Sequence, residues 1–192
     1  MNLRPIDLRR KDCRGQALVE LAAAVVVILV VVLALVDIGI HVSKSVRLAP
    51  AARAGALLLT PSNNNEGVGV RPTKAIQEII RAAGAPASIN MHRDAQITVS
   101  YVQLVGVNPT ITKQYIKAPN GPADTQGTAV YTSKFGVENT NLSEKIPAAT
   151  LINTSDWIVI VEVFYKASYF TPIPQLLKLT NADTVIYENA IF

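Results

Sequence analysis

Every residue from 21 to 36 is alanine, valine, isoleucine or leucine, and the apolar character continues through Ile38 and Ile40 past a single acid, Asp37. By composition this is a membrane segment. At about 1.5 Å per residue, residues 17–36 cover roughly 30 Å, the hydrocarbon thickness of a bilayer, so one helix spans once.

The residues ahead of the run fix its direction. Residues 1–15 carry Arg4, Arg9, Arg10, Lys11 and Arg14 against Asp7 and Asp12, five positive charges against two negative, net +3. Such a bias keeps the N-terminus cytoplasmic and sends the larger C-terminal part across the membrane. The same subtraction explains the basic character of the whole chain. Its net charge of +4 falls to +1 without the leader, with 13 basic and 12 acidic side chains left over residues 16–192. A nucleic-acid partner therefore has no electrostatic support. A secretory signal peptide shares the basic start, but this apolar run is longer than a usual signal core. The glycine, Gly15, also lies ahead of the run instead of a small-residue site after it, and cleavage at Ala49, Ala51 or Ala52 is the competing reading.

Between leader and run lies Cys13-Arg14-Gly15-Gln16-Ala17-Leu18-Val19-Glu20-Leu21. Glycine has no Cβ, so the backbone at Gly15 enters a protease cleft at low steric cost. Glu20 follows five residues later at the mouth of the apolar helix, where a carboxylate is costly unless hydrated by headgroups or paired. This stretch resembles the opening of the TadE-like proteins, pseudopilins of the tight-adherence pilus machinery, whose members often begin with an Arg-Gly-x-Ala-x-Val-Glu pattern. Val36-Asp37-Ile38-Gly39 is similar to the acidic residue and glycine of that family near the end of the membrane run. Ala51-Ala52-Arg53-Ala54-Gly55-Ala56 is similar to its Ala-Ala-Arg-x-Gly-Ala segment. The resemblance covers about the first 60 residues and is looser beyond, at Glu162-Val163-Phe164-Tyr165 and Phe170-Thr171-Pro172-Ile173-Pro174. Leu21 stands where major pilins favour an aromatic and Gln16 where type IV pilins favour phenylalanine, which points to a minor subunit.

The resemblance implies a prepilin leader over residues 1–15, cut by prepilin peptidase between Gly15 and Gln16. It implies that Glu20 serves as the assembly carboxylate, paired with the new amino terminus of a neighbouring subunit, and that Asp37, Gly39, Arg53 and Gly55 are the family's helix-motif residues. The implied partners are the peptidase, other pilins and pseudopilins, the pilus platform proteins and membrane lipid. The implied location is a bacterial inner membrane, with the C-terminal part outside the cytoplasm.

The fold class expected is α+β: a long pilin-like N-terminal transmembrane helix, then a small antiparallel-sheet domain with one or two helices. The helix is expected over residues 16–60, spanning the membrane at about 17–40. Beyond it Asp37, His41, Lys44 and Arg47 line one side at spacings of three and four, and Pro50 is expected to bend the helix or start a new turn. The outer domain is expected over residues 66–192. Ala75, Ile76, Ile79, Ile80 and Ala83 recur at helical spacing before Gly84 and Pro86, predicting an amphipathic helix over 71–83. Alternation predicts a strand over 95–107, with 111–117 as its hairpin partner. Residues 124–154 read as a long polar surface excursion holding one short strand candidate, 129–135. Residues 157–170, apolar on both faces, read as a central strand, followed by a turn of helix at 176–179 and a terminal strand at 184–191.

Catalysis finds little footing, and no cofactor or metal is expected. Cys13 is the sole cysteine and leaves with the leader, so the mature chain has neither an internal disulfide nor a thiol nucleophile. His41 and His92 are the only histidines, too few for a metal centre, and His41 is expected near the membrane interface. Gly67-Val68-Gly69 lacks the lysine of a phosphate-binding loop. Arg53 either holds a partner carboxylate or is a solvated helix-face charge, the second being the commoner fate of such residues. Two functional classes stand: a processed minor pseudopilin, and an uncleaved single-span protein whose outer domain binds a partner.

Overall fold

The computed structural model describes residues 13–59, 70–84, 89–122, 127–151, 157–169, 171 and 183–192. The architecture is α+β, with a long apolar N-terminal helix and a small antiparallel sheet joined by short helices. Helix α1 (Cys13–Leu57) is 45 residues long and continues through Pro50. The proline ring removes the hydrogen bond to the Val46 carbonyl. Leu48, Ala51 and Ala52, all buried on either side of it, supply the packing that keeps the helix whole.

The chain divides into two compact units, residues 1–40 with 169–182 and residues 41–168 with 183–192. In the first, the side chains of α1 stand exposed: Leu18, Leu21, Val27, Ile28 and Leu35 each leave about 60 % or more of their surface uncovered. Asp37 breaks this pattern, being buried at 2 % exposure.

The second unit is built on a four-stranded sheet of order β2-β1-β3-β4, with β1 (Ala95–Val105), β2 (Asn108–Lys117), β3 (Trp157–Ser168) and β4 (Asp183–Ile191), every neighbouring pair antiparallel. Val99 faces Tyr115 on one side and Val161 on the other, and Val163 faces Glu188. The β1–β2 hairpin turns at Gly106, whose φ of +67° suits a residue without a Cβ, so β1 ends at Val105 instead of reaching residue 107. A bulge at Thr112 shifts the register between Tyr101 and Val102.

One face of the sheet, with Ile97, Val99, Val161 and Val163, shares a core with Leu48, Ala51, Ala52 and Ala56 of α1 and with Ala75, Ile76, Ile79 and Ala83 of α2 (Val70–Gly84). The helical spacing read in the sequence is thus the buried stripe of α2. A four-residue helix, α3 (Met91–Asp94), precedes β1 and is capped by the Asn90 side chain, which accepts from the Arg93 amide at 3.1 Å. It is too short to leave a period in the sequence.

Residues 124–154, read as a surface excursion, are mostly exposed in the described part but anchored on the other face of the sheet. Within the described part, 127–151, Leu142, Ile146 and Leu151 are buried with Val102, Ile111, Ile158 and Ile160 in a second core. Residues 129–135 form no strand. Their backbone is held by side chains of the sheet, as set out below. The expected helical turn at 176–179 lies outside the described residues.

Candidate functional site

The residues singled out in the sequence lie along α1, so the helix sets their spacing. Gly15 is exposed, and among the described residues a Cβ built on it meets nothing within 4 Å. One turn on, Glu20 is also exposed, and its Oε1 accepts a hydrogen bond from Gln16 Nε2 at 3.0 Å. The two flank the point where the apolar run begins. The helix holding them, 15–57, has a stretch of mean hydropathy 3.2 with 6 % of its residues buried, long and apolar enough to cross a membrane.

Asp37 and Thr171, 134 residues apart in sequence, come together. An Asp37 carboxylate oxygen accepts from the Thr171 amide at 3.2 Å, and the other accepts from the Thr171 hydroxyl. Both residues are buried. A carboxylate at the end of an apolar run is thereby supplied with donors from its own chain. Nothing in the sequence tied the two motifs to each other.

The two motif glycines differ. A Cβ at Gly39 would meet nothing within 4 Å, whereas one at Gly55 would lie 2.3 Å from Ile79 Cγ1 and 3.3 Å from the Ala75 carbonyl. Gly55 therefore sets the close approach of α1 to α2. Between the flanking Ala52 and Ala56, Arg53 turns outward and is exposed, the solvated helix-face position.

Buried polar residues on the sheet form a network that sequence reasoning missed. Glu162, fully buried in the apolar β3, accepts from Ser133 Oγ, from the Lys134 amide at 2.9 Å and from Tyr187 Oη at 3.0 Å. Burial, with the Glu162 carboxylate beside it, pushes the Tyr187 hydroxyl up to about 12. Gln96 accepts from the amides of Val130 and Tyr131 and donates to the Tyr131 carbonyl at 2.7 Å. Gln114 donates to Ser100 Oγ and to the Gly136 carbonyl. These side chains clamp residues 130–136 onto the sheet. The signal available in the sequence was an acid inside an apolar strand and the polar row Gln96, Thr98, Ser100 alternating with apolar residues.

The segment that follows closes the outer edge of β2. The Leu142 amide donates to the Pro109 carbonyl, Ile111 exchanges hydrogen bonds with Thr140 and Asn139, and the Gln114 amide donates to Glu138 Oε1 at 3.0 Å. The Gly127 amide donates to the Ile116 carbonyl at 2.8 Å. A cavity of about 280 Å³ there is lined by Gln114, Ile116, Gly127, Val137 and Glu138. Its one carboxylate is already an acceptor in the fold.

Lys117, also fully buried, directs its ammonium at the carbonyls of Met91, His92 and Ala95, at 2.9, 2.6 and 3.1 Å. Burial pulls its pKa down to about 8, against a smaller upward pull from Asp94. The three carbonyls match the three ammonium protons, and the lysine joins α3 to the sheet. His92 itself is exposed, and Asp94 pairs with Arg93 at 2.8 Å. Among the described residues no group of three histidines, cysteines or acids is placed to hold a metal ion. Compared with family models, with curated proteins and with solved structures, the chain matches none.

Proposed function

We propose that this protein is a minor pseudopilin of a tight-adherence type pilus assembly system, made with a leader that prepilin peptidase removes after Gly15. The observation that carries this reading is the pairing of Gly15 and Glu20, five residues apart, at the head of a helix whose first half exposes large apolar side chains and whose second half packs on an antiparallel sheet. A helix of this kind serves a lipid bilayer first and a bundle of like helices afterwards, without refolding. The exposure of Gly15 suits a peptidase acting at the membrane surface. After cleavage Gln16 bears a free amine one turn from Glu20, and a neighbour's amine offers that carboxylate a stronger partner than the Gln16 amide. The enclosing system, the peptidase, platform proteins and other pilins, and the inner-membrane location belong to the same proposal. So does the absence of enzymatic activity.

N-terminal sequencing and intact mass of the protein from cells expressing the peptidase test this directly. A mature chain beginning at Gln16 is expected, and Glu20→Ala is expected to be cleaved and inserted normally while pilus formation is lost. An intact Met1 would favour the uncleaved single-span protein with a partner-binding outer domain. A start beyond Ala49 would assign the run to a secretory signal.

A further inference from the structure

Past Ile40, helix α1 carries Lys44, Arg47 and Arg53 and no carboxylate as far as Leu57. Lys44 and Arg47 are three apart and share a side of the helix. The Lys44 ammonium stands 5.6 Å from the centroid of the Tyr165 ring, and the ion pairs among the described residues, Arg81–Glu78 and Arg93–Asp94, include neither cation. Glu188 accepts from Ser45 Oγ of the same stretch at 2.6 Å, and Asp94 is held by Arg93. Arg47 Nη1 is buried and makes no hydrogen bond. A guanidinium nitrogen held out of water without an acceptor is costly, so Arg47 gains where its side chain turns to an acceptor outside the chain.

The position on the helix identifies that acceptor. Along α1, Lys44 lies about 6 Å and Arg47 about 10 Å beyond Ile40, the last residue of the apolar run. The headgroup layer adds roughly 5–8 Å to each side of the hydrocarbon core, and long basic side chains reach back toward it. We propose that Lys44 and Arg47 bind the phosphate group of an anionic phospholipid in the leaflet where α1 leaves the membrane. The inference rests on the reading of α1 as a membrane span. The two cations supply the charge complement, and the Arg47 fork supplies donors suited to two phosphate oxygens.

The full chain, reconstituted in nanodiscs of phosphatidylcholine mixed with phosphatidylglycerol and released in the gas phase, reports the lipids it retains by mass. Wild type is expected to retain phosphatidylglycerol in preference. Lys44→Gln and Arg47→Gln are each expected to lower that preference roughly fivefold, the worth of one cation near an anionic surface. Arg47→Lys is expected to keep the charge-dependent part, and Arg53→Gln to match wild type. Equal retention of both lipids, or a double variant indistinguishable from wild type, overturns the proposal. So does displacement of the retained lipid by added inorganic phosphate, which would assign the site to a free anion. Flotation with vesicles separates the two readings: a chain that floats without lipid preference overturns this inference alone, and one that fails to float overturns the membrane span with it.

Discussion

The two halves of α1 form one continuous helix and have opposite fates. Residues 18–36 are mostly valine, leucine and isoleucine and stand exposed, whereas residues 48–56 are mostly alanine with Leu48 and Gly55 and are largely buried. Size accounts for the difference. Branched side chains keep neighbouring backbones apart and present a broad surface to whatever apolar medium surrounds them. Small ones let a helix settle against a sheet and a second helix at close range. Hydrophobicity marks where a chain avoids water, and side-chain volume marks whether it meets its own fold or something else.

Moving the start of the chain gives the sharpest test. A version beginning at residue 66 lacks Leu48, Ala51, Ala52, Ala56 and Leu59, all within the core, and is expected to be largely unfolded, since two leucines at about 1.5–3 kcal/mol each, with the smaller share of three alanines, reach the lower end of the stability of a small domain. A version beginning at residue 41 is expected to fold and remain soluble. Circular dichroism and hydrogen exchange of the two decide it, with β3 the most protected element in the longer one. A folded product from residue 66 would break the comparison. The natural unit of packing in the structure starts at residue 41, although the polar loop after residue 60 read as the start of the outer domain.

A smaller effect separates the two glycines. Gly55→Ala is expected to destabilise the protein by about 1–3 kcal/mol, because the new methyl group meets the fully buried Ile79 and overpacking outweighs the gain in helix propensity. Gly39→Ala, with open space around it, is expected to leave thermal stability unchanged or slightly raised. Equal effects in a melting experiment would mean that the two halves are not packed as described.

Titration gives the smallest contrast. Residues 21–36 hold no ionisable group, whereas the sheet unit holds Lys117 and Tyr187, both displaced from their ordinary values. Lys117 is depressed from 10.5 to about 8 in the fold. The unfolded chain therefore binds more protons between these values, and stability rises as pH increases from 8 toward 10. The rise is expected to be on the order of 1 kcal/mol, less than the full shift implies, because the three carbonyls favour the ammonium. Tyr187, raised from 10.0 to about 12, acts in the opposite sense: its contribution is lost above pH 10. Denaturant unfolding at pH 8 and 10 measures the rise, and Lys117→Met is expected to abolish it.

What the sequence made legible follows from distance along the chain. The apolar run, the buried stripe of α2 and the alternation of β1 are local periods, and each appears in the structure near its expected bounds. The partnership of Asp37 with Thr171 and the clamps made by Gln96, Gln114 and Glu162 join residues 22 to 134 positions apart. No period records such contacts. The anchoring of 127–151 was not legible because its apolar anchors, Leu142, Ile146 and Leu151, are few and widely spaced in a mostly exposed segment. Gly15 and Glu20 were legible for the opposite reason, that their five-residue spacing between a basic leader and an apolar run is local.

The covered edge of β2 bears on how copies of this protein can associate. A sheet grows into a ribbon only when each unit offers two open edges, one to accept a strand and one to donate. With β2 sealed by backbone bonds from residues 127–142, at most one edge is left, so strand pairing between copies stops at a pair. At high local concentration these molecules are thereby guarded against amyloid-like growth. The broad apolar surface that residues 18–36 leave uncovered lies on the helix, not at that edge.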